Sequence, residues 1–360
     1  MIVKNKALKK ILNKRRWRIL KFYCLGWTLA FIFLSIVRGL GTTEEGSLQF
    51  DFLSSIKIAL TLGPIMGLVS GYVQITTEER IYKYTSVQRF FLIRFAYGIL
   101  SVVLLIVGAY SIYQLYFGTS ISLWTFASDE GSAAIYFYVL FTDSFLSVMR
   151  QVSLMLGEGN LTKLLQGKFY TPREETRIFM FLDLQSSTSL AEQLGHIRYS
   201  LLIQDCFNYL GITIENEAEV YQYVGDEAVL TWPLEVGLQN QNCLRAFYKF
   251  TDLLKEKSGH YREKYNCEPR FKAGMHGGVV TVTEVGKYKI EIAYHGDAIN
   301  TAARIQGQCN LFNEELLISE TLKKQLEHKQ FTFKTLGSIP LKGKKEEVSI
   351  CSVSMIPKVP

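Results

Sequence analysis

Polar and apolar positions divide the chain in two. From Phe22 to Leu156 long apolar stretches alternate with short charged ones, whereas from Arg177 onward the apolar positions come in short runs or at helical spacing. Phe22–Val37, Ile58–Ile75 and Phe95–Phe117 carry no charge, and each is long enough, or nearly so, for a bilayer span of about 20 residues. A fourth stretch, Ser132–Leu156, is interrupted by Asp143 and Arg150. Because such segments recur after the first, the pattern predicts membrane helices and not a cleaved signal peptide.

In the second half, Ile178–Leu182 is a run of apolar residues ending on Asp183, followed by Ser186-Ser187-Thr188. The run reads as a strand buried on both faces. The hydroxyl residues read as the N-terminus of a helix, whose free N–H groups suit a phosphate. A carboxylate at the exit of a buried strand is costly unless a cation holds it. The alternatives at this point are a metal–nucleotide site and an ordinary strand–helix junction. Further on, the pattern predicts a helix over Ser187–Asn216, a hairpin of Val220–Val224 and Ala228–Trp232 turning at Gly225-Asp226, and a helix over Gln239–Ser258. Strands at Phe271–Val282 and Lys287–Ala293 and a helix over Ala298–Gln306 come next. Short elements near Leu316–Leu326, Phe331–Lys334 and Val348–Val353 close the chain. The β-α-β-β-α-β order predicts an α+β, ferredoxin-like domain with helices packed on an antiparallel sheet.

Composition changes the picture in one respect. Met1–Lys21 holds nine Lys/Arg and no acid; without it the 40 basic residues fall to 31 against 33 acidic. The net charge of +7 is therefore a local tail, and nucleic-acid binding is not implied. Six cysteines are scattered with no CxxC pair, which reads as reduced and structural. The segments between spans sort by charge, with Arg80, Lys83, Arg89 and Arg94 in one and Glu44, Glu45, Asp51, Asp129 and Glu130 in the other two. The positive-inside rule then places both termini in the cytoplasm of a multi-pass protein of the cell (inner) membrane.

Within the second span Gly63, Gly67 and Gly71 recur every four residues on one helix face. They suit either a dimer seam or close packing inside one four-helix bundle. Asp143 lies well inside the fourth span, where a charge costs ~2.5–3.5 kcal/mol on insertion scales. It reads as part of a sensing site or as a side chain protonated or hydrogen-bonded between helices. The resulting organisation is a basic tail (1–21), a four-span membrane domain (22–156), a linker (157–176) and a soluble domain (177–356).

Three groups carry candidate chemistry. Asp226 at a hairpin tip can meet Asp183 if the strands are neighbours, and two carboxylates meeting at a sheet edge call for Mg²⁺ or Mn²⁺. In His295-Gly296-Asp297-Ala298-Ile299-Asn300-Thr301-Ala302-Ala303-Arg304, Asn300 and Arg304 share one helix face. An amide and a guanidinium aimed together can orient a ribose and neutralise a phosphoryl transition state. No Ser-His-Asp or Cys-His arrangement suggests a protein nucleophile.

In the order FMFLDLQSST, VGDEAVLTW, AGMHGGVV, YHGDAINTAARI and PLKG, the stretch Arg177–Val353 resembles the catalytic domain of class III adenylate/guanylate cyclases, here of a membrane-anchored bacterial type. The resemblance implies conversion of ATP, with GTP as the alternative, to the 3′,5′-cyclic nucleotide and pyrophosphate. It implies two Mg²⁺ or Mn²⁺ ions held by Asp183 and Asp226, and a homodimer with active sites at the subunit interface. It assigns the ribose to Asn300 and the transition state to Arg304. Leu184, Gln185, Ser186, Ser187, Thr188 and Gly225 frame the nucleotide, and Lys342 reaches the polyphosphate. Where family members that select adenine carry Lys, and Asp or Thr, this chain has Gln222 and Ala293; the guanine pattern of Glu and Cys is absent too. Gln222 can donate or accept, so base choice stays open. The rival readings are a membrane receptor whose cyclase-like module only binds nucleotide, and a diguanylate cyclase, which leaves Asn300 and Arg304 unexplained.

Overall fold

The computed structural model describes residues 2–39, 52–78, 87–117, 121–129, 132–157, 160–327, 330–340 and 347–356. The chain separates into two compact units, Met1–Met155 and Leu156–Pro360.

The first unit is helical: α1 (Ile2–Gly39), α2 (Phe52–Thr76), α3 (Val87–Phe117), a short α4 (Leu123–Ala127) and α5 (Ser132–Met155). Four of them contain segments long and apolar enough to cross a membrane: Arg15–Arg38, Phe52–Thr76, Leu92–Leu115 and Ser132–Met155. The glycine stripe lies against α1. A Cβ on Gly63 would sit 2.6 Å from the Thr28 Cα, and one on Gly67 would sit 2.3 Å from the Cys24 Cα. The close approach is thus between α1 and α2 of one chain, as small residues at a helix interface permit.

Asp143 is buried and hydrogen-bonded between helices. Its Oδ1 accepts from Ser70 Oγ at 2.6 Å and from Arg94 Nη2 at 3.1 Å, and Arg94 Nε donates to Ser147 Oγ at 2.7 Å. A second cluster centres on Glu78, which takes Arg150 through two hydrogen bonds of 2.8 and 3.0 Å, and also Arg15 and Gln74. The phenol of Tyr23 joins the clusters by donating to Gln74 Oε1 at 3.1 Å, while its ring lies 5.7 Å from the Arg94 guanidinium carbon. Residues from α1, α2, α3 and α5, with Glu78 just past α2, thus satisfy one another's buried charges, as an apolar surrounding demands.

The second unit opens with α6 (Asn160–Leu165) and enters its sheet at β1 (Arg173–Leu184). Then follow α7 (Ser187–Leu210), β2 (Glu219–Val224), β3 (Glu227–Pro233), α8 (Leu234–Leu238), α9 (Asn242–Glu256) and α10 (Ser258–Tyr265). After these come β4 (Phe271–Val285), β5 (Glu291–His295), α11 (Asp297–Gln306) and α12 (Cys309–Phe312). The chain closes with β6 (Leu316–Ser319), α13 (Glu320–Lys323), β7 (Phe331–Ile339) and β8 (Val348–Met355). The helix expected over Ser187–Asn216 kinks at Gly195 (φ 71°) and tightens to 3₁₀ geometry from Gly211. That expected over Gln239–Ser258 is broken at Asn240 and Gln241, both at positive φ.

The sheet runs β2-β3-β1-β4-β6-β8-β7, with β5 paired to β4. Its first four strands are antiparallel neighbours in the ferredoxin-like order. These four strands are antiparallel, as expected; β4 and β6 pair in parallel, so the sheet as a whole is mixed. Helices also cover both faces. The even residues of β1 (Ile178, Met180, Leu182, Leu184) join Leu202, Phe247 and Phe250 in the main core. On the other face Phe179, Val229 and Val280 receive Ala298 and Ala302 of α11. Apolar residues at Ala298, Ala302 and Ile305 drive that docking, since i, i+4 and i+7 share one helix face.

Candidate active site

The period of two in β1 decides where Asp183 points. It shares a face with Phe179 and Phe181, and so faces the side on which α11 lies. Across the two ladders it stands opposite Glu227 of β3 and Lys272 of β4. Since β2 and β3 meet at the Gly225-Asp226 turn, Asp226 arrives next to this pair; Gly225 adopts φ 62°, a region glycine enters without strain.

The electrostatics follow from that crowding. Burial raises the proton affinity of Asp183, Lys272 draws it down and Asp226 pushes it up again, leaving it above the usual carboxylate range. Glu227 is pushed up to about 7 by burial first, then by Asp183 and Asp226. Tyr199 of α7 is raised too, by burial and by Asp226. Lys272 Nζ lies 3.3 Å from Asp183 Oδ2, and Gln306 Nε2 donates to the same oxygen at 2.9 Å.

The chemistry of this cluster suits a hard cation. The donors are all oxygen, and negative charge exceeds what one lysine offsets. No three His, Cys, Asp or Glu side chains among the described residues form a closed metal cluster. Mg²⁺ fits such a site, because it commonly takes one or two carboxylates and completes its shell with water and substrate phosphates.

The other expected residues are placed as follows. The Leu184 side chain is buried in the opposite core, so only its backbone can face a ligand. The Gln185 N–H is already bonded to the Arg270 carbonyl at 2.8 Å. Ser186, at φ 58°, turns the chain into α7, followed by Ser187 and Thr188. Asn300 and Arg304 lie on the outer part of α11, away from Ala298, Ala302 and Ile305, and make no polar contact among the described residues. Gln222 and Ala293 flank Tyr221 and Tyr294, whose rings meet edge-on at 5.0 Å. A register shift between Val220 and Gln222 carries the side-chain alternation out of phase there. Lys342 lies outside the described residues.

Reading the sequence missed Lys272, Gln306, Glu227 and Tyr199 as neighbours of the carboxylates. The first three depend on strand register and helix docking. The glycines of AGMHGGVV did carry a signal, because they clear the floor for α11. A Cβ on Gly274 would sit 2.1 Å from the Gln306 N, and one on Gly278 3.0 Å from the Ala298 Cβ. His276 between them is bonded to Ser319 Oγ at 2.7 Å and serves the sheet.

A ferredoxin-like sheet with neighbouring carboxylates at the end of its central strand, and an Asn/Arg helix across its face, defines a nucleotide-cyclase type of domain. Residues 169–351 match the adenylate and guanylate cyclase catalytic domain, and the chain belongs to that family. It is 31% identical over 219 residues to adenylate cyclase 2 of Rhizobium meliloti (strain 1021), a match covering 60% of each chain. It is 26% identical over 185 residues to an adenylate cyclase of Anabaena cylindrica, covering 48% of this chain and 36% of that one. The chain thus spans less than two thirds of the length of these relatives. Among solved structures a bacterial light-regulated adenylyl cyclase aligns with a TM-score of 0.54 at 19% identity, covering 63% of this chain and 67% of the other. That likeness concerns the fold.

Proposed function

We propose that the chain is a membrane-bound nucleotidyl cyclase that converts ATP to the 3′,5′-cyclic nucleotide and pyrophosphate in intracellular signalling. In this reading residues 1–21 are a cytoplasmic tail, 22–156 the membrane domain, 157–176 a linker and 177–356 the catalytic domain. The observation that carries it is Asp183 at the exit of the central strand with Asp226 brought beside it. The active protein is a homodimer. Asp183 and Asp226 of one chain and Asn300 and Arg304 of the other build each site, which accounts for an Asn/Arg face without polar partners among the described residues of its own chain.

Two Mg²⁺ or Mn²⁺ ions, when bound, would supply charge to activate the ribose 3′-hydroxyl and to steady the triphosphate. The residues do the rest. Asp183 and Asp226 hold the cations, and the Ser187–Thr188 end of α7 offers N–H groups to phosphate. Asn300 orients the ribose, and Arg304 meets the charge that develops as the 3′-oxygen attacks and pyrophosphate leaves.

Support for ATP comes from the relatives, which are named adenylate cyclases. Gln222 and Ala293 do not decide between adenine and guanine. The test is turnover of ATP and GTP by the full chain in detergent with Mg²⁺ or Mn²⁺. Faster cyclisation of ATP is expected. Faster cyclisation of GTP would reassign the substrate, and nucleotide binding without turnover by either would leave a receptor with an inert module.

A further inference from the structure

We infer that Gln306 is a positioning residue for the cation site: it ties one oxygen of Asp183 to α11 and leaves the other to face the metal. This rests on Asp183 being a metal ligand, as proposed above. Asp183 Oδ2 is engaged twice, by Gln306 Nε2 at 2.9 Å and by Lys272 Nζ at 3.3 Å. Oδ1 has no hydrogen-bond partner among the described residues. A carboxylate anchored through one oxygen presents the other in a single direction, which is how outer-shell hydrogen bonds orient metal ligands.

The two anchors differ in kind. Lys272 carries charge and divides its ammonium between Asp183 and Asn310 Oδ1, to which it donates at 3.0 Å, so a cation entering the site would repel it. Gln306 is neutral, and its donor persists whatever charge enters the site. It is also held rigidly. Its residue is buried at the end of α11, and its backbone N and Cα would lie 2.1 and 2.5 Å from a Cβ on Gly274. The helix end is thus seated on the strand backbone next to Lys272, which fixes the point from which the Gln306 side chain reaches Asp183.

The consequence reaches beyond one carboxylate. The helix whose last residue holds Asp183 also carries Asn300 and Arg304, which in the dimer serve the other site. A change in the seat of Gln306 therefore alters both half-sites that one chain contributes.

Mn²⁺ binding to the full chain in detergent, followed by water-proton relaxation, tests this without turnover. Wild type is compared with Gln306→Ala, with Gln306→Met, which keeps the length and loses the donor, and with Asp183→Ala. Both Gln306 variants should bind Mn²⁺ about 10–100-fold more weakly, with metal-free melting unchanged for Gln306→Met. If Gln306→Ala fails to fold, Gln306→Met carries the test. Loss of binding in Asp183→Ala with wild-type affinity in Gln306→Met would overturn the inference and keep the metal site. Undiminished binding in Asp183→Ala would overturn the metal assignment and the inference with it.

Discussion

Asp183 and Glu227 stand directly opposite each other in the β1–β3 ladder, so their side chains leave the sheet on the same face. Like charges so placed disfavour each other, and half-burial adds to the cost. Glu227, held up to about 7 in the fold, ionises near 4.3 when unfolded. The folded state then binds more protons between those values, and stability falls as pH rises through that window. Glu227→Gln should flatten the fall and make the metal-free protein more stable than wild type at pH 8. Melting curves between pH 4 and pH 8 in EDTA check this; a wild-type slope in the variant would refute it.

The proposed roles of Asp183 and Arg304 predict complementation. Each single alanine variant should lose roughly a hundred- to a thousandfold or more in turnover, since both sites of its homodimer lack one charged group. In a dimer of one Asp183→Ala chain and one Arg304→Ala chain, one site inherits both lesions and the other neither. Co-expression with two purification tags should recover about half of the wild-type rate per dimer. Verified heterodimers as inactive as their parents would mean that each site is complete within one chain.

Gly274→Ala places a methyl group against the Gln306 backbone. No side-chain rotation relieves that overlap, so α11 must lift from β4 at a cost of about 1–3 kcal/mol. The expected result is a lower melting temperature for the catalytic unit and a loss of turnover larger than the loss of folded protein. Equal losses would show that α11 tolerates the displacement.

In the membrane unit, removing one charge of a buried pair leaves the other uncompensated. Asp143→Leu or Arg94→Leu should each destabilise the bundle by about 3–5 kcal/mol, whereas the double replacement should cost less than either single change. Unfolding in mixed detergent gives the three values. Additive losses would mean that Asp143 and Arg94 do not depend on each other.

How far the sequence could be read depended on whether a signal was local. The apolar run ending in Asp183, the Gly225-Asp226 turn and the spacing of Asn300 and Arg304 each lie within one element or its edge, and their residue types announce them. The four apolar helices were visible for the same reason. Lys272 and Gln306 were not, because an isolated Lys in a strand and a Gln at a helix end acquire meaning only when β1–β4 register and the docking of α11 bring them to Asp183. The glycine spacing of α2 showed that a helix approaches closely but not which one. The parallel pairing of β4 with β6 spans β5, α11 and α12, and no short-range pattern records it.

The pairing of β1 with β4 is continuous from Arg173↔Val282 to Leu184↔Phe271, with no bulge between. Asp183 lies ten positions after Arg173, about 33 Å of extended chain. Such a ladder hardly stretches, and a slip of one residue would turn every side chain to the opposite face. Both ends of the ribbon are tied down, since the Phe169 carbonyl accepts the Glu284 N–H at 2.9 Å and Gln306 holds Asp183. The first strand therefore acts as a strut: a pull at Arg173 has no compliant segment in which to dissipate before it reaches Asp183.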